Sequence, residues 1–288
     1  MIELPSHPFD RGGLAALSDL RTSEWQELFG FLEQEQAAFL EQEAKFRSPE
    51  YKWPRDPLHT WSRVWEYPYV YYHLRKWKKG LPRSNQPRVV DLGSGVTFFP
   101  FSVARLGFHV ICTDVDPICK KDLAHAAQCV NHDPGQVDFR LTDGLTLPFG
   151  DGEADALYCV SVLEHIPHFE TMIQEIARIL KPGGLVVVTV DLDLRGDAEF
   201  GVESHKILAA ALRRHFAHLY PEVTIHPADL LHSSSAPYGY KPLRGLDWAW
   251  FMLKQYILKP MLGRKPTRMT PYHLAVQGFA LVRPLEDE

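Results

Sequence analysis

The chain has 288 residues, net charge −5, 45% hydrophobic and 23% charged residues, a composition of ordinary globular proteins. The length suits one large α/β domain with an appended extension. The acidic balance argues against a dedicated nucleic-acid binder, which usually carries a basic excess, and no run of about 18 apolar residues marks a transmembrane helix.

In chain order, the first residues (MIELPSHPFDRGG) lack a basic and apolar leader pattern, so a cytoplasmic location is expected. Residues 22–46 have apolar residues at helical spacing (Trp25, Leu28, Phe29, Leu32), and Ser23 with Gln26 fits a capping box. Residues 47–60 hold three prolines and read as a loop. An aromatic-dense stretch follows at 61–77, then a linker at 78–87. These parts form an expected N-terminal helical and aromatic extension over residues 1–85.

From residue 88 short apolar runs alternate with helical segments. The runs are RVVDL, HVICTD, VDFRL, ADALYCV and LVVVTV, with helices near 98–107, 117–130 and 168–181. That alternation predicts a doubly wound, mostly parallel sheet covered on both faces. A helix near 203–217, a strand at 222–226, an irregular stretch at 227–270 and a last strand at 272–284 complete a seven-stranded Rossmann-like α/β core over 86–288. The segment 247–268 mixes Trp248, Phe251, Tyr256 and Ile257 with Lys254, Lys259, Arg264 and Lys265. It reads as a substrate cap inserted before the last strand, with a core-packed helix or an interfacial segment as its other readings.

Four cysteines, Cys112, Cys119, Cys129 and Cys159, form no C-x-x-C pair, and no zinc-finger spacing occurs. They read as small buried residues in a reducing compartment.

The chemistry lies in the stretch VVDLGSGVTFFPFSVARLG, residues 89–107. A dinucleotide fingerprint needs a third glycine where Phe98 stands, and no Walker G-K-[ST] follows. Instead, acids punctuate the strand ends: Asp91 before Gly93, Asp114 in ICTDVDP, and Asp143 in LTDGL. Three acids and a glycine turn at the C-terminal ends of successive parallel strands face one crevice. They suit a ligand with a cationic amino-acid part, a ribose and an adenine, since carboxylates accept from ammonium, hydroxyl and exocyclic amine donors.

Several segments carry a resemblance: VVDLGSG (89–95), CTDVDP (112–117), RLTDG (140–144), LPFGDGEADALY (147–158), SVLEHI (161–166) and IARILKPGGL (176–185). In order and at these spacings the chain resembles class I S-adenosylmethionine-dependent methyltransferases, the broad group that includes the ubiquinone-biosynthesis methyltransferases. The likeness covers about residues 86–195 and the closing strand. It implies that Asp91, Gly93 and Gly95, with Ser94, form the turn beneath the methionine moiety. Asp114 would take the ribose hydroxyls, with Val115 beside it. Asp143 and the backbone of Gly144 would read the adenine, and Ser161, Val162 and His165 would sit near the sulfonium. Asp116 stands where a small polar residue is more usual, and Thr97 where a third glycine often falls. Family members place a lid ahead of the core. By that likeness Arg63, Trp65, Glu66 and Tyr67 are pocket candidates, with Arg63 a fork for the cofactor carboxylate and Trp65 and Tyr67 facing substrate.

The expected activity is methyl transfer from S-adenosylmethionine to a hydroxyl or amine of a small molecule, such as a sugar or natural-product precursor. His165 is the candidate base, with His205 (also a substrate-side candidate) and Asp191 as reserves. No metal site is expected from spacing, although Asp191 and Asp193 leave a magnesium mechanism open. The sequence after the fourth core strand is CVSV rather than asparagine–proline–proline–aromatic, which argues against DNA or protein-glutamine acceptors. Other chemistry on the same cofactor, such as cyclisation, or non-catalytic binding on the same fold, are the rival readings. Within the acidic loop, Asp155 is expected to order the turn, with Asp151 and Glu153 facing solvent; Glu164, in SVLEHI, is also expected to face solvent.

Overall fold

The computed structural model describes residues 7–82, 86–194, 200–239, 244–263 and 273–285. The N-terminal part consists of β1 (Gly13–Leu14), α1 (Ser23–Glu41), α2 (Glu43–Phe46) and α3 (Arg63–Lys79). Thr22, not Ser23, caps α1: its hydroxyl accepts from the Trp25 N–H at 3.2 Å. Helix α1 buries Leu28, Leu32 and Phe39 on one stripe, and this stripe faces α3 and the core. In α3 residues Val64 to Leu74 are all buried, because the helix is clamped between α1 and the sheet. No amphipathic period survives such two-sided burial.

The core runs β2 (Arg88–Leu92), α4 (Phe99–Ala104), β3 (His109–Asp114), α5 (Pro117–Ala126), β4 (Gln136–Leu141) and β5 (Ala154–Val160). It continues with α6 (Phe169–Ile179), β6 (Leu180–Asp193), α7 (Val202–His215), β7 (Ala217–His218), α8 (Gly245–Leu253), α9 (Lys259–Met261) and β8 (Leu274–Val282). The sheet order is β4-β3-β2-β5-β6-β8, with both β1 and β7 on the free edge of β8. Strands β2 to β6 pair in parallel, and β8 is antiparallel to β6. Alternate residues divide between two cores. Val89, Val110, Ala156 and Val187 join α1, α3, α4 and α5; Val90, Ile111, Leu157 and Val188 join α6 and α7. This is the period of two expected of strands buried on both faces.

The outer edge differs from expectation. No strand forms at 222–226; Glu222 makes only an isolated bridge to Gly12. The two-residue strands β1 and β7 occupy that edge instead, one from each flank of the core, and they blunt it. Strand β6 begins at Leu180, five residues before the apolar run. The extension 1–85 is built into the sheet: β1 pairs with Gly278 and Gln277, and Trp65 and Tyr69 lie so close over Gly278 that a Cβ there would come within 2.8 Å of both rings.

Candidate functional site

The glycine turn follows β2. The N–H groups of Gly93 and Ser94 both donate to the Thr113 carbonyl, at 2.9 and 3.0 Å. Gly93 has φ +73°, and a Cβ on it would lie 2.6 Å from Val162 Cγ2; only glycine satisfies both the backbone and the space. Gly95, at φ +54°, donates its N–H to Asp114 Oδ2 at 3.0 Å. The Asp116 N–H donates to Asp114 Oδ1, also at 3.0 Å. Each Asp114 oxygen is therefore aimed by one backbone donor and keeps further lone pairs for a ligand. Asp116 caps α5 through the Ile118 N–H. The Val96 N–H donates to the Tyr51 hydroxyl at 3.0 Å, so the proline-rich loop 47–60 closes over the turn.

The turn forms one wall of a cavity of about 920 Å³ at the C-terminal ends of β2, β3, β5 and β6, near the upper end of the roughly 300–1,000 Å³ range of ligand pockets. The structure brings Arg63, Tyr67, Asp91, Gly93, Ser94, Gly95, Asp114, Val115, Asp143, Gly144, Ser161 and His165 together on its lining. Three expected residues are not on the lining: Glu66, fully buried behind Ser161, Trp65 and His205. Trp65 is buried with its indole N–H donating to Asp19 Oδ2 at 2.8 Å, because its position in α3 turns it onto β8. His205 sits on α7 with its ring beside Phe279, 6.1 Å between centroids, away from the cavity. Residues 244–263 contribute nothing to the lining, and residues 264–270 of the expected cap lie outside the described residues.

Two of the acids have distinct surroundings. Asp91 is buried, and its Oδ2 accepts from the Tyr158 hydroxyl at 2.7 Å. Burial, reinforced by the nearby Asp114 charge, pushes its carboxyl up to about 8. A cationic ligand group beside it would supply the missing countercharge. Asp143 is exposed. Its Oδ1 accepts the Leu145 and Thr146 N–H groups, both at 2.8 Å, and these backbone donors hold its pKa below the usual value.

A second polar group occupies the wall made by α3, the loop after β5 and the end of β6. The Ser161 hydroxyl donates to Glu66 Oε1 at 2.5 Å and lies 3.5 Å from Asp191 Oδ1. Ser161 has φ +48°, a left-handed backbone that a non-glycine residue holds only when its surroundings impose it. Arg63 Nη1 pairs with Glu66. Burial, with the Glu66 charge beside it, pushes Asp191 up to about 7. Glu164 is buried rather than solvent-facing: its Oε1 accepts the Asp191 N–H at 2.8 Å, and burial followed by the Asp191 charge raises its carboxyl well above the usual range. Among the described residues no three His, Cys, Asp or Glu side chains assemble a metal site.

Contrary to expectation, Asp155 is not a loop-ordering residue: it lies in β5 and accepts from the Arg88 N–H and from Lys181, which ties β5 to β2 and β6. Glu153 is not solvated but half-buried and paired with Arg140 at 2.9 Å; Asp151 is exposed and pairs with Arg178. All four cysteines are free thiols, and Cys129 is only partly buried. Tyr51 and Tyr158 were not expected. Tyr51 lies in an aperiodic loop and gave no signal. Tyr158 could have been found, since it is the register partner of Asp91 in adjacent parallel strands and so shares its face.

Comparison with known proteins adds four findings. The methyltransferase domain family matches residues 90–188. An uncharacterized methyltransferase of Mycobacterium marinum is 31% identical over 163 residues, 56% of this chain and 60% of that protein. A ubiquinone biosynthesis O-methyltransferase of Xanthomonas axonopodis is 33% identical over 147 residues, 50% of this chain and 56% of that one. The match thus spans about 60% of the length of these relatives. Among solved structures, the [4+2]-cyclase SpnF superposes with TM-score 0.50 at 18% identity, covering 96% of this chain and 100% of its own, a likeness of fold.

Proposed function

We propose, from the match of residues 90–188 to the methyltransferase domain family, that the chain is a class I S-adenosylmethionine-dependent methyltransferase and moves a methyl group to a hydroxyl or amine of a small molecule. The observation that carries this reading is one cavity holding the Asp91–Gly95 turn, Asp114 and Asp143 together with a separate carboxylate wall at Ser161 and Asp191.

The residues fit the cofactor. Asp91 has a buried charge to balance, which an ammonium would do. The aimed carboxylate of Asp114 suits a pair of hydroxyl donors, and charge-assisted bonds of that kind contribute about 1.5–3 kcal/mol each. Arg63 spends Nη1 on Glu66 and the Ser62 hydroxyl, and the rest of its fork suits a carboxylate. When bound, the cofactor supplies an electrophilic methyl on a sulfonium. What the chain then contributes is alignment, worth several kcal/mol when reacting atoms are held in line, and a place for the acceptor's proton.

Several cavity-lining groups can take that proton, His165, His168 and Asp191 among them. Asp191 is favoured because its carboxyl is pushed up close to neutrality and its backbone N–H is anchored on Glu164. A base is most effective with a pKa near the working pH. Ser161, Glu66 and Glu164 are then positioning residues for Asp191.

The test is calorimetric titration with S-adenosylmethionine, S-adenosylhomocysteine and NAD, repeated on Asp114→Ala, followed by mass spectrometry of candidate acceptors. Binding of both sulfur ligands and not NAD, weakened by about 10–100-fold in the variant, is the expected result. Failure of the wild-type protein to bind either sulfur ligand sinks the reading.

A further inference from the structure

The stretch Gly245–Met261 is helical, with α8 and α9 joined by a π-helical turn at Lys254–Leu258. Its inward stripe is narrow: Gln255 is buried and Phe251, Met252 and Lys259 are half-buried, positions that recur at about four-residue spacing. The rest faces out. Leu246, Met261, Leu262 and Trp250 are 89, 78, 71 and 61% exposed, and Trp248, Tyr256 and Ile257 about half exposed. Scattered exposed apolar residues are normal, but nine exposed large apolar side chains within residues 245–262 are a density that points to an interaction surface.

Its charge says what covers it. The chain as a whole is at −5, yet between residues 244 and 285 Asp247 is the single acidic residue. Within and around the helix stand Arg244, Lys254 and Lys259, and the sequence continues with Arg264, Lys265 and Arg268. Tryptophan and tyrosine among aliphatic side chains, flanked by cations, suit the boundary between lipid headgroups and acyl chains. Among the described residues no helix is long and apolar enough to cross a membrane, so contact runs along the surface.

The placement agrees. Strand β8, which follows the segment, begins at Leu274 opposite Asp193, and its Val276 pairs with the cavity residue Asp191. On the preceding side, the Tyr238 ring packs edge-on against His59, 5.0 Å between centroids, in the loop whose Pro57 and Trp61 line the cavity. Described residues on either side of the segment, Tyr238 and Val276, therefore lie near the cavity.

We propose that residues 245–262 dock the protein peripherally on an anionic lipid surface, the apolar face entering the headgroup boundary and the flanking cations meeting the lipid charge. This stands independently of the methyl-transfer reading.

The experiment is co-sedimentation of the full chain with two kinds of vesicle: phosphatidylcholine alone, and phosphatidylcholine with about a quarter phosphatidylglycerol, each at low and high salt. Two variants accompany it, Trp248→Ser/Trp250→Ser and Arg244→Gln/Lys254→Gln, all at exposed positions, with melting temperature as the check on folding and light scattering as the check on assembly. The expected result is salt-sensitive binding to the anionic vesicles. Removing the two cations should weaken it by roughly 30-fold, and removing the two tryptophans should weaken binding at both salt levels. No binding, or equal binding to both vesicle types, overturns the proposal. So does a dimer that dissociates in the tryptophan variant, since the face is then covered by a second copy of the chain.

Discussion

Glu66 and Ser161 meet through a 2.5 Å hydrogen bond between α3 and the loop after β5, which makes the N-terminal helix part of the site's electrostatics. The Glu66 charge lies beside Asp191 and helps to hold that carboxyl near 7. Glu66→Gln keeps an acceptor for the serine and removes the charge. The Asp191 pKa should fall, and the acid limb of the kcat/KM profile should move to lower pH. Asp191→Asn should abolish that limb and lower kcat by about 10²–10⁴-fold. His165→Asn should leave the limb in place. A limb that vanishes with His165 and survives in Asp191→Asn would transfer the base role to the histidine.

Stability of the ligand-free protein should fall as pH rises from about 4 to 8. Asp91 and Asp191 are raised to about 8 and about 7 in the fold, above their unfolded value near 3.9. Between these limits the native state binds more protons than the unfolded state, so raising the pH disfavours folding. Their contribution is fully present below the unfolded pKa and is lost as pH passes the folded values. Asp91→Asn should therefore raise stability at pH about 8 by about 4–5 kcal/mol and leave it nearly unchanged at pH about 4. Urea titrations at the two pH values decide this. Equal effects at both would show that the carboxyl is not elevated.

Gly93→Ala should cost about 2–4 kcal/mol and abolish cofactor binding, because the new methyl group meets Val162 and the backbone is left-handed. Adding Val162→Ala should recover the steric part and leave about 1–2 kcal/mol of backbone strain. Melting curves of the two single variants and the double variant give the coupling. Purely additive losses would mean that the turn has moved away from Val162.

Asp143→Asn should bind S-adenosylhomocysteine nearly as well as the wild type, since the amide oxygen can still accept from Leu145 and Thr146. Asp143→Ala should bind about tenfold more weakly as the turn loosens. A large loss in the asparagine variant would show instead that the carboxylate charge itself contacts the ligand.

The sequence displayed the interior of the sheet well. Strands β2, β3 and β5 fall where their apolar runs lie, because each is buried on both faces; β4, at the sheet edge and mostly unburied, was marked by its short run between turn residues. The outer edge was illegible: β1 and β7 are two residues each, too short for any period, and exist only because β8 offers an unpaired edge. The cofactor wall was readable from Asp91, the glycines, Asp114 and Asp143, which local rules place at strand ends. Its partners were harder. Tyr51 reaches the turn from an aperiodic loop. Glu164 has the chemistry of a surface residue, and only the Asp191 N–H, brought in by strand β6, explains its burial. Trp65 looked like a pocket aromatic because its neighbours Arg63 and Tyr67 are; the helical turn sends it to the opposite side.

The seating of Trp65 and Tyr69 over Gly278 also sets an order in time. The helix carrying the two rings leaves the ribosome more than two hundred residues ahead of the strand they rest on. At about 5–20 residues per second that interval is about 10–40 s. Throughout it a large aromatic face has no floor, and the N-terminal third of the chain must wait for the last strand before it can close.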